Sequence, residues 1–293
     1  MLEVDAVTRT YGEITAVDGV TFDVQPGAMV GFVGGNGAGK TTTMRMIMGI
    51  LAPDSGSVRW QGEELTRAIR TRFGYMPEER GLYPKQPILD QLVYLGRLHG
   101  MSQGEAKGRV TDLLERFGLG DRVGDKVETL SLGNQQRAQI IAAVLGDPVA
   151  LILDEPFSGL DPAAVDQMSA MLREHTSSST PVLFSSHQLD LVDRLCDSIV
   201  VLHQGKVVAA GTSAELRDTG KLRYRLTVGD DAGWVRGLDG IRVLDLDGST
   251  AVVEPADEAA AQHLLGEAVS RGQVRDFSKV IPSLSEIYRE VAA

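Results

Sequence analysis

An apolar run, Met29-Val30-Gly31-Phe32-Val33, leads into Gly34-Gly35-Asn36-Gly37-Ala38-Gly39-Lys40-Thr41-Thr42, and a helical pattern rich in Met and Ile follows. Strand, Gly-rich loop and helix in that order predict a phosphate-binding loop. The glycines let successive backbone N–H groups turn into one concave anion nest. The start of the next helix adds partial positive charge. In that frame Lys40 reaches the β- and γ-phosphates and the Thr41 hydroxyl meets Mg²⁺. Thr42 touches the nucleotide through its hydroxyl or N–H. A chain built on such a loop needs a parallel sheet to carry it.

The rest of the sequence supplies one. Apolar strand runs at 4–7, 20–24, 29–33, 58–60 and 73–76 come first. From 88 to 146 the period becomes helical: Leu89, Leu92, Val93, Leu95 and Leu98 share one face, as do Val110, Leu113, Leu114 and Phe117. A third helix is read over 138–145. Strand–helix alternation then resumes to about residue 202. The expectation is an α/β P-loop NTPase domain over 1–217 with a helical subdomain at about 86–148. Its sheet is expected to be largely parallel and covered on both faces. Residues 218–293 read as a small accessory α+β domain of ferredoxin-like type, with strands at 222–228, 241–246, 250–254 and 274–277 and helices at 256–270 and 283–291. Pro282-Ser283 suits a helix start.

Val149-Ala150-Leu151-Ile152-Leu153 ends in Asp154-Glu155. A fully apolar strand ending in two carboxylates places them at the carboxyl edge of the sheet, where nucleotides bind. Asp154 is suited to hold Mg²⁺ and Glu155 to act as general base toward a water molecule.

Composition removes other classes. The net charge of −11 weighs against a general nucleic-acid binder, and no nucleic-acid partner is expected. Cys196 is the single cysteine, so an internal disulfide and a Cys-based zinc site are excluded. The longest apolar stretch, 138–153, is broken by Gln139, Gly146, Asp147 and Pro148, whereas a membrane span needs about 20 apolar residues. The opening MLEVDAVTRT has no signal-peptide pattern, so a cytoplasmic location is expected.

Further motifs point to a family. Leu130-Ser131-Leu132-Gly133-Asn134-Gln135-Gln136-Arg137 resembles the signature of the ABC-transporter ATPases. Ser158-Gly159-Leu160-Asp161 is similar to their D-loop, His187 to their switch histidine and Tyr11 to the aromatic that stacks on adenine. Glu78 stands where the family has its Q-loop glutamine. Leu132 replaces the signature's usual second glycine, and Asn134 its glutamine. The resemblance covers about 1–217.

It implies a head-to-tail dimer in the ATP-bound state. Each ATP would lie between one protomer's P-loop and the Ser131 and Gly133 of the other. Glu155 would act on water and His187 on the γ-phosphate; Thr41, Asp154 and Glu78 would surround Mg²⁺, and Asp161 would belong to the D-loop. The implied partners are separate integral-membrane permease subunits, which hold the chain on the cytoplasmic face of the membrane. The segment 77–84 and the ending 281–288 also resemble a bacterial export-type subgroup associated with sodium or drug efflux. The expected function is therefore the ATP-hydrolysing subunit of an exporter. The alternatives are a soluble ABC ATPase acting on ribosomes or DNA, and a regulatory ATPase.

Overall fold

The computed structural model describes residues 1–79, 81–218, 222–281 and 283–291. Two segments singled out in the sequence therefore include residues outside this set: Arg80 within 77–84, and Pro282 before the last helix. The chain divides into two compact units, Met1–Ser213 with Tyr288–Ala293, and Ala214–Ile287.

The first unit opens with strands β1 (Leu2–Tyr11) and β2 (Ile14–Val24). Next come β3 (Met29–Val33), helix α1 (Lys40–Ile47), β4 (Ser55–Trp60), β5 (Glu63–Glu64), α2 (Arg67–Arg70) and β6 (Phe73–Met76). The helical segment supplies α3 (Ile88–Leu98), α4 (Gln103–Arg116) and α5 (Leu132–Val144). Then follow β7 (Ala150–Leu153), α6 (Pro162–Ser177), β8 (Val182–Ser186), α7 (Leu189–Leu195), β9 (Ser198–His203) and β10 (Lys206–Gly211).

These strands form two sheets. The larger has the order β10-β9-β3-β8-β7-β6 and is parallel except for the antiparallel edge strand β10. Every residue of β3, β7 and β8 is buried, as a sheet covered on both faces requires. The smaller sheet, β2-β1-β4-β5, is antiparallel. It differs from the single sheet expected, and its strands show why. In β2, Val20, Phe22 and Val24 are buried while Thr21 and Asp23 are exposed; that alternation suits a sheet with one wet face. The main core lies between the sheets and α1, around Val7, Val17, Phe32, Met44, Ile47 and Ile152.

Helix α5 begins six residues earlier than its apolar pattern suggests. Ser131 caps it, accepting the Asn134 N–H at 3.3 Å, so the polar residues Asn134 to Arg137 are helical too. The helix lies against β6 at Gly74. A Cβ there would stand 2.2 Å from the Ala143 carbonyl oxygen.

Within the second unit, β11 (Tyr224–Val228), β12 (Ile241–Asp247), β13 (Thr250–Pro255) and β14 (Val274–Lys279) pair antiparallel in the order β12-β13-β11-β14. Helix α9 (Glu258–Arg271) contributes Leu264 and Ala268 to a core with Leu226 and Val253. This is the ferredoxin-like strand order, with a short 3₁₀ turn at Gly233–Gly237 in place of the first helix. Two helices include residues of both units: α8 (Ser213–Arg217) and α10 (Leu284–Val291).

Gly74→Ala forces a methyl against a backbone oxygen that cannot turn aside. It is expected to lower stability by about 1–3 kcal/mol, read as an earlier urea midpoint in the transition that reports the first unit.

Candidate active site

The loop between β3 and α1 takes its shape from glycines at positions no other residue fills. Gly39 has φ +104°, and a Cβ on it would lie 2.6 Å from the Ala16 carbonyl oxygen; a Cβ on Gly34 would meet the Leu202 carbonyl oxygen at the same distance. The loop is tied to the fold from outside, since the Gly205 N–H donates to the Ala38 carbonyl at 3.1 Å. Lys40 is buried, and its Nζ donates to the carbonyl oxygens of Gly34 at 2.7 Å and Gly35 at 3.3 Å. An ammonium held within reach of the loop's own N–H groups makes a site for a polyanion.

The opposite wall comes from the end of β7. Asp154 is only 1% exposed. Its Oδ1 accepts the Ser185 hydroxyl at 2.5 Å, while Oδ2 is buried with no hydrogen-bond partner. A buried, unpaired carboxylate oxygen is costly unless something positive meets it. Thr41 and Glu78 line the same cavity, and the Thr41 hydroxyl donates to Glu78 Oε2 at 3.3 Å. Among the described residues no three His, Cys, Asp or Glu side chains gather closely enough to hold a metal unaided. One or two carboxylates, a hydroxyl and phosphate oxygens are what Mg²⁺ ordinarily takes, so the residues present fit that ion.

Glu155 follows with φ +51°, a left-handed conformation that costs a non-glycine residue about 1–3 kcal/mol and concentrates at functional sites. Its surroundings hold it there. The Glu155 N–H donates to Ser185 Oγ at 2.8 Å, and Gln136 Nε2 donates to its carbonyl at 2.8 Å. Its Oε2 lies 3.0 Å from His187 Nδ1. Burial pushes the Glu155 carboxyl above the usual carboxylate range, opposed by the positive charge of His187 and Lys40 and reinforced by Asp154. A carboxylate so raised is a stronger base toward water.

Lys40, Thr41, Thr42, Asn36, Gly37, Ala38, Gly39, Glu78, Asp154 and Glu155 line one cavity of about 360 Å³. A second cavity shares Asn36, Glu78 and Glu155 and adds His187. Most of the residues expected from the sequence thus come together. Six line neither cavity: Gly34 and Gly35 at the start of the loop, and Ser131, Gly133, Asp161 and Tyr11. Ser131 caps α5, and Gly133 of that helix lies beside the Gly159 carbonyl; of the signature, Leu132, 60% exposed, and Gln136 face the second cavity. Asp161 caps α6 through the Ala164 N–H at 2.8 Å. Tyr11 is 48% exposed at the end of β1, with the Arg9 guanidinium 5.2 Å from its ring centre.

Three contributors were not anticipated. Ser185 ties Asp154 to the Glu155 backbone, Gln136 holds the Glu155 carbonyl, and Ala16 lines the first cavity. The signal for Ser185 was a polar residue ending the apolar run Val182-Leu183-Phe184.

Residues 17–158 match the ABC transporter family model, and residues 211–292 match that of the ATP-binding protein DrrA1-3-like C-terminal domain. The chain is 42% identical to the uncharacterized ABC transporter ATP-binding protein YhaQ of Bacillus subtilis, covering 99% of this chain and 98% of that one. It is 38% identical to Nod factor export ATP-binding protein I of Paraburkholderia xenovorans, over 73% of this chain and 72% of the relative. A solved ATP-binding subunit of an ABC transporter superposes with a TM-score of 0.69 at 35% identity, over 74% of this chain and 92% of that one. The P-loop NTPase fold, the convergent carboxylates and near full-length similarity lead to one assignment: the chain belongs to the family of ABC transporter ATP-binding proteins.

Proposed function

We propose that the chain binds and hydrolyses ATP to drive a separate membrane permease, in the export direction. The observation that carries this reading is the cavity where the P-loop, Lys40, Asp154 and Glu155 meet, with His187 bonded to Glu155 from the adjoining cavity. In this reading Gly34, Gly35, Asn36, Gly37, Ala38 and Gly39 form the loop around the phosphates, with the N–H groups of Asn36, Gly37 and Gly39 turned to them, and Lys40 binds the β- and γ-phosphates. Thr41, Asp154 and Glu78 hold Mg²⁺, which supplies charge neutralisation at the phosphate oxygens. Glu155 takes a proton from water as the water oxygen bonds to the γ-phosphorus and the bond to ADP breaks. His187 holds the Glu155 carboxylate and lies ready for the γ-phosphate. Residues 1–217 serve as the nucleotide-binding domain and 218–293 as an accessory domain.

Two ATP-loaded copies are proposed to close head to tail. In support, Ser131 and Gly133 line neither cavity of their own subunit, which leaves them available to another copy's nucleotide. Tyr11 at the rim is assigned to adenine and Asp161 to the D-loop.

No helix among the described residues is long and apolar enough to cross a membrane, and the family's members work with permeases. Exposed Tyr83, Tyr94 and Leu98 near the Glu78 loop and on α3 suit the permease-facing surface, which would hold the subunit on the cytoplasmic side. Export is supported by the similarity to the Nod factor protein. The relatives are transporter subunits and give no support to action on ribosomes or DNA.

Glu155→Gln is expected to slow ATP hydrolysis by about 100-fold or more while nucleotide binding persists; unchanged turnover would remove Glu155 as the base. The acid limb of the kcat/KM profile should lie above the range of an exposed glutamate, because the base must be ionised and burial raises its pKa. His187 opposes that rise, so His187→Ala should move the limb to still higher pH, beyond any fall in rate. A limb that stays in place or moves down in the variant would mean that Glu155 is not the titrating base.

A further inference from the structure

The two halves of the nucleotide loop are supported differently. The second half is fixed by the main sheet's neighbours: the Ala38 carbonyl receives the Gly205 N–H, and Gly39 is pressed against Ala16. The first half is held partly by the loop itself. The Gly35 carbonyl accepts from the Ala38 N–H at 3.2 Å and from Lys40 Nζ at 3.3 Å. The Gly35 N–H, however, donates at 2.9 Å to the hydroxyl of Tyr288, a residue 253 positions away. Tyr288 groups with Met1–Ser213 in the same compact unit as the loop. The approach is close. A Cβ built on Gly35 would stand 3.3 Å from that hydroxyl.

Gly35 does not line the phosphate cavity, whereas its neighbour Asn36 lines both cavities. The tyrosine therefore acts on the backbone immediately before the first residue that faces the site. It does not occupy the place of the phosphates. The peptide unit between Gly34 and Gly35 is held at both ends, the Gly34 carbonyl accepting from Lys40 Nζ at 2.7 Å and the Gly35 N–H donating to Tyr288, so it cannot rotate without losing both bonds. Fixing it before ligand arrives removes part of the ordering cost from binding.

We propose that Tyr288 is a positioning residue for nucleotide binding: by accepting the Gly35 N–H it holds the first half of the loop, and with it Asn36, in the conformation that receives the triphosphate. The inference rests on the ATPase reading above. It makes the far C-terminal end of the chain a determinant of ATP affinity and not of the chemical step.

The test is Tyr288→Phe in the full chain, which keeps the ring and removes the hydroxyl. The Kd for MgATP and the KM are expected to rise about 3- to 10-fold, the worth of one neutral hydrogen bond, with kcat at saturation and the melting temperature unchanged. Amide exchange of a peptide containing Gly34 to Gly37 in nucleotide-free protein should become faster. Gly35→Ala approaches the same contact from the other side, since its methyl crowds the hydroxyl. It should weaken binding in the wild-type background and have little further effect beside Tyr288→Phe.

An unchanged or tighter Kd in Tyr288→Phe, a fall confined to kcat, or fully additive effects of the two substitutions would overturn the proposal. A wild-type chain that binds no MgATP would overturn the ATPase reading itself. The exchange comparison, which needs no nucleotide, would then still report whether Tyr288 holds the loop: unchanged exchange overturns the contact's role.

Discussion

The parallel register of three neighbouring strands decides where everything else in the site can be. Val33 pairs with Ser186 across β3 and β8, and Leu153 with Phe184 across β7 and β8. β3 and β8 end level and β7 stops two residues short of them, so the chain leaves all three at the same edge. From β3 it enters the Gly-rich loop, from β7 it reaches Asp154 and Glu155, and from β8 it reaches His187. Ser185 uses this alignment directly, giving its hydroxyl proton to Asp154 and accepting the Glu155 N–H. A shift of one residue in β8 would turn Ser185 to the other face of the sheet and leave both acidic residues without their tie.

The electrostatics of that edge are finely balanced. Asp154, Glu155 and Glu78 place three carboxyl groups beside a single buried ammonium, Lys40. Desolvation and mutual repulsion favour a proton on Glu155, while Lys40 and His187 oppose it. The arrangement is also unfinished in one place, the unpartnered Oδ2 of Asp154. A carboxylate at position 78, where the family has an amide, adds negative charge next to Thr41. Together these features suit a triphosphate accompanied by its divalent ion better than a bare polyanion.

Much of this was legible in the sequence because it is local. The P-loop and the Asp154-Glu155 pair each declare themselves within a few residues, whereas the capping role of Ser131, ahead of the apolar pattern of its helix, did not. Burial of β3 and β7 follows from their apolar runs, that of β8 as far as Phe184, and the ferredoxin-like appendage from its strand pattern. What was not legible depends on distant pairing. The strands of the first sheet carry the alternation of a one-sided sheet, yet their separation from the parallel sheet emerges only from the register of β1 with β2 and β4. Gln136 sits inside a motif read for its serine and glycine, so its bond to the Glu155 carbonyl carried no separate signal. The Tyr288 contact spans nearly the whole chain, and nothing in its neighbourhood of the sequence announces a nucleotide loop.

The way Gly39 and Ala38 are held against Ala16 and Gly205 has a mechanical corollary. Torsions fixed when the protein folds need not be fixed again when a triphosphate arrives. The seat behaves as a stiff anvil and absorbs little of the attraction between phosphate and loop. That attraction is then left to displace whatever meets the nucleotide from outside, which is how a small ligand performs work on a much larger assembly.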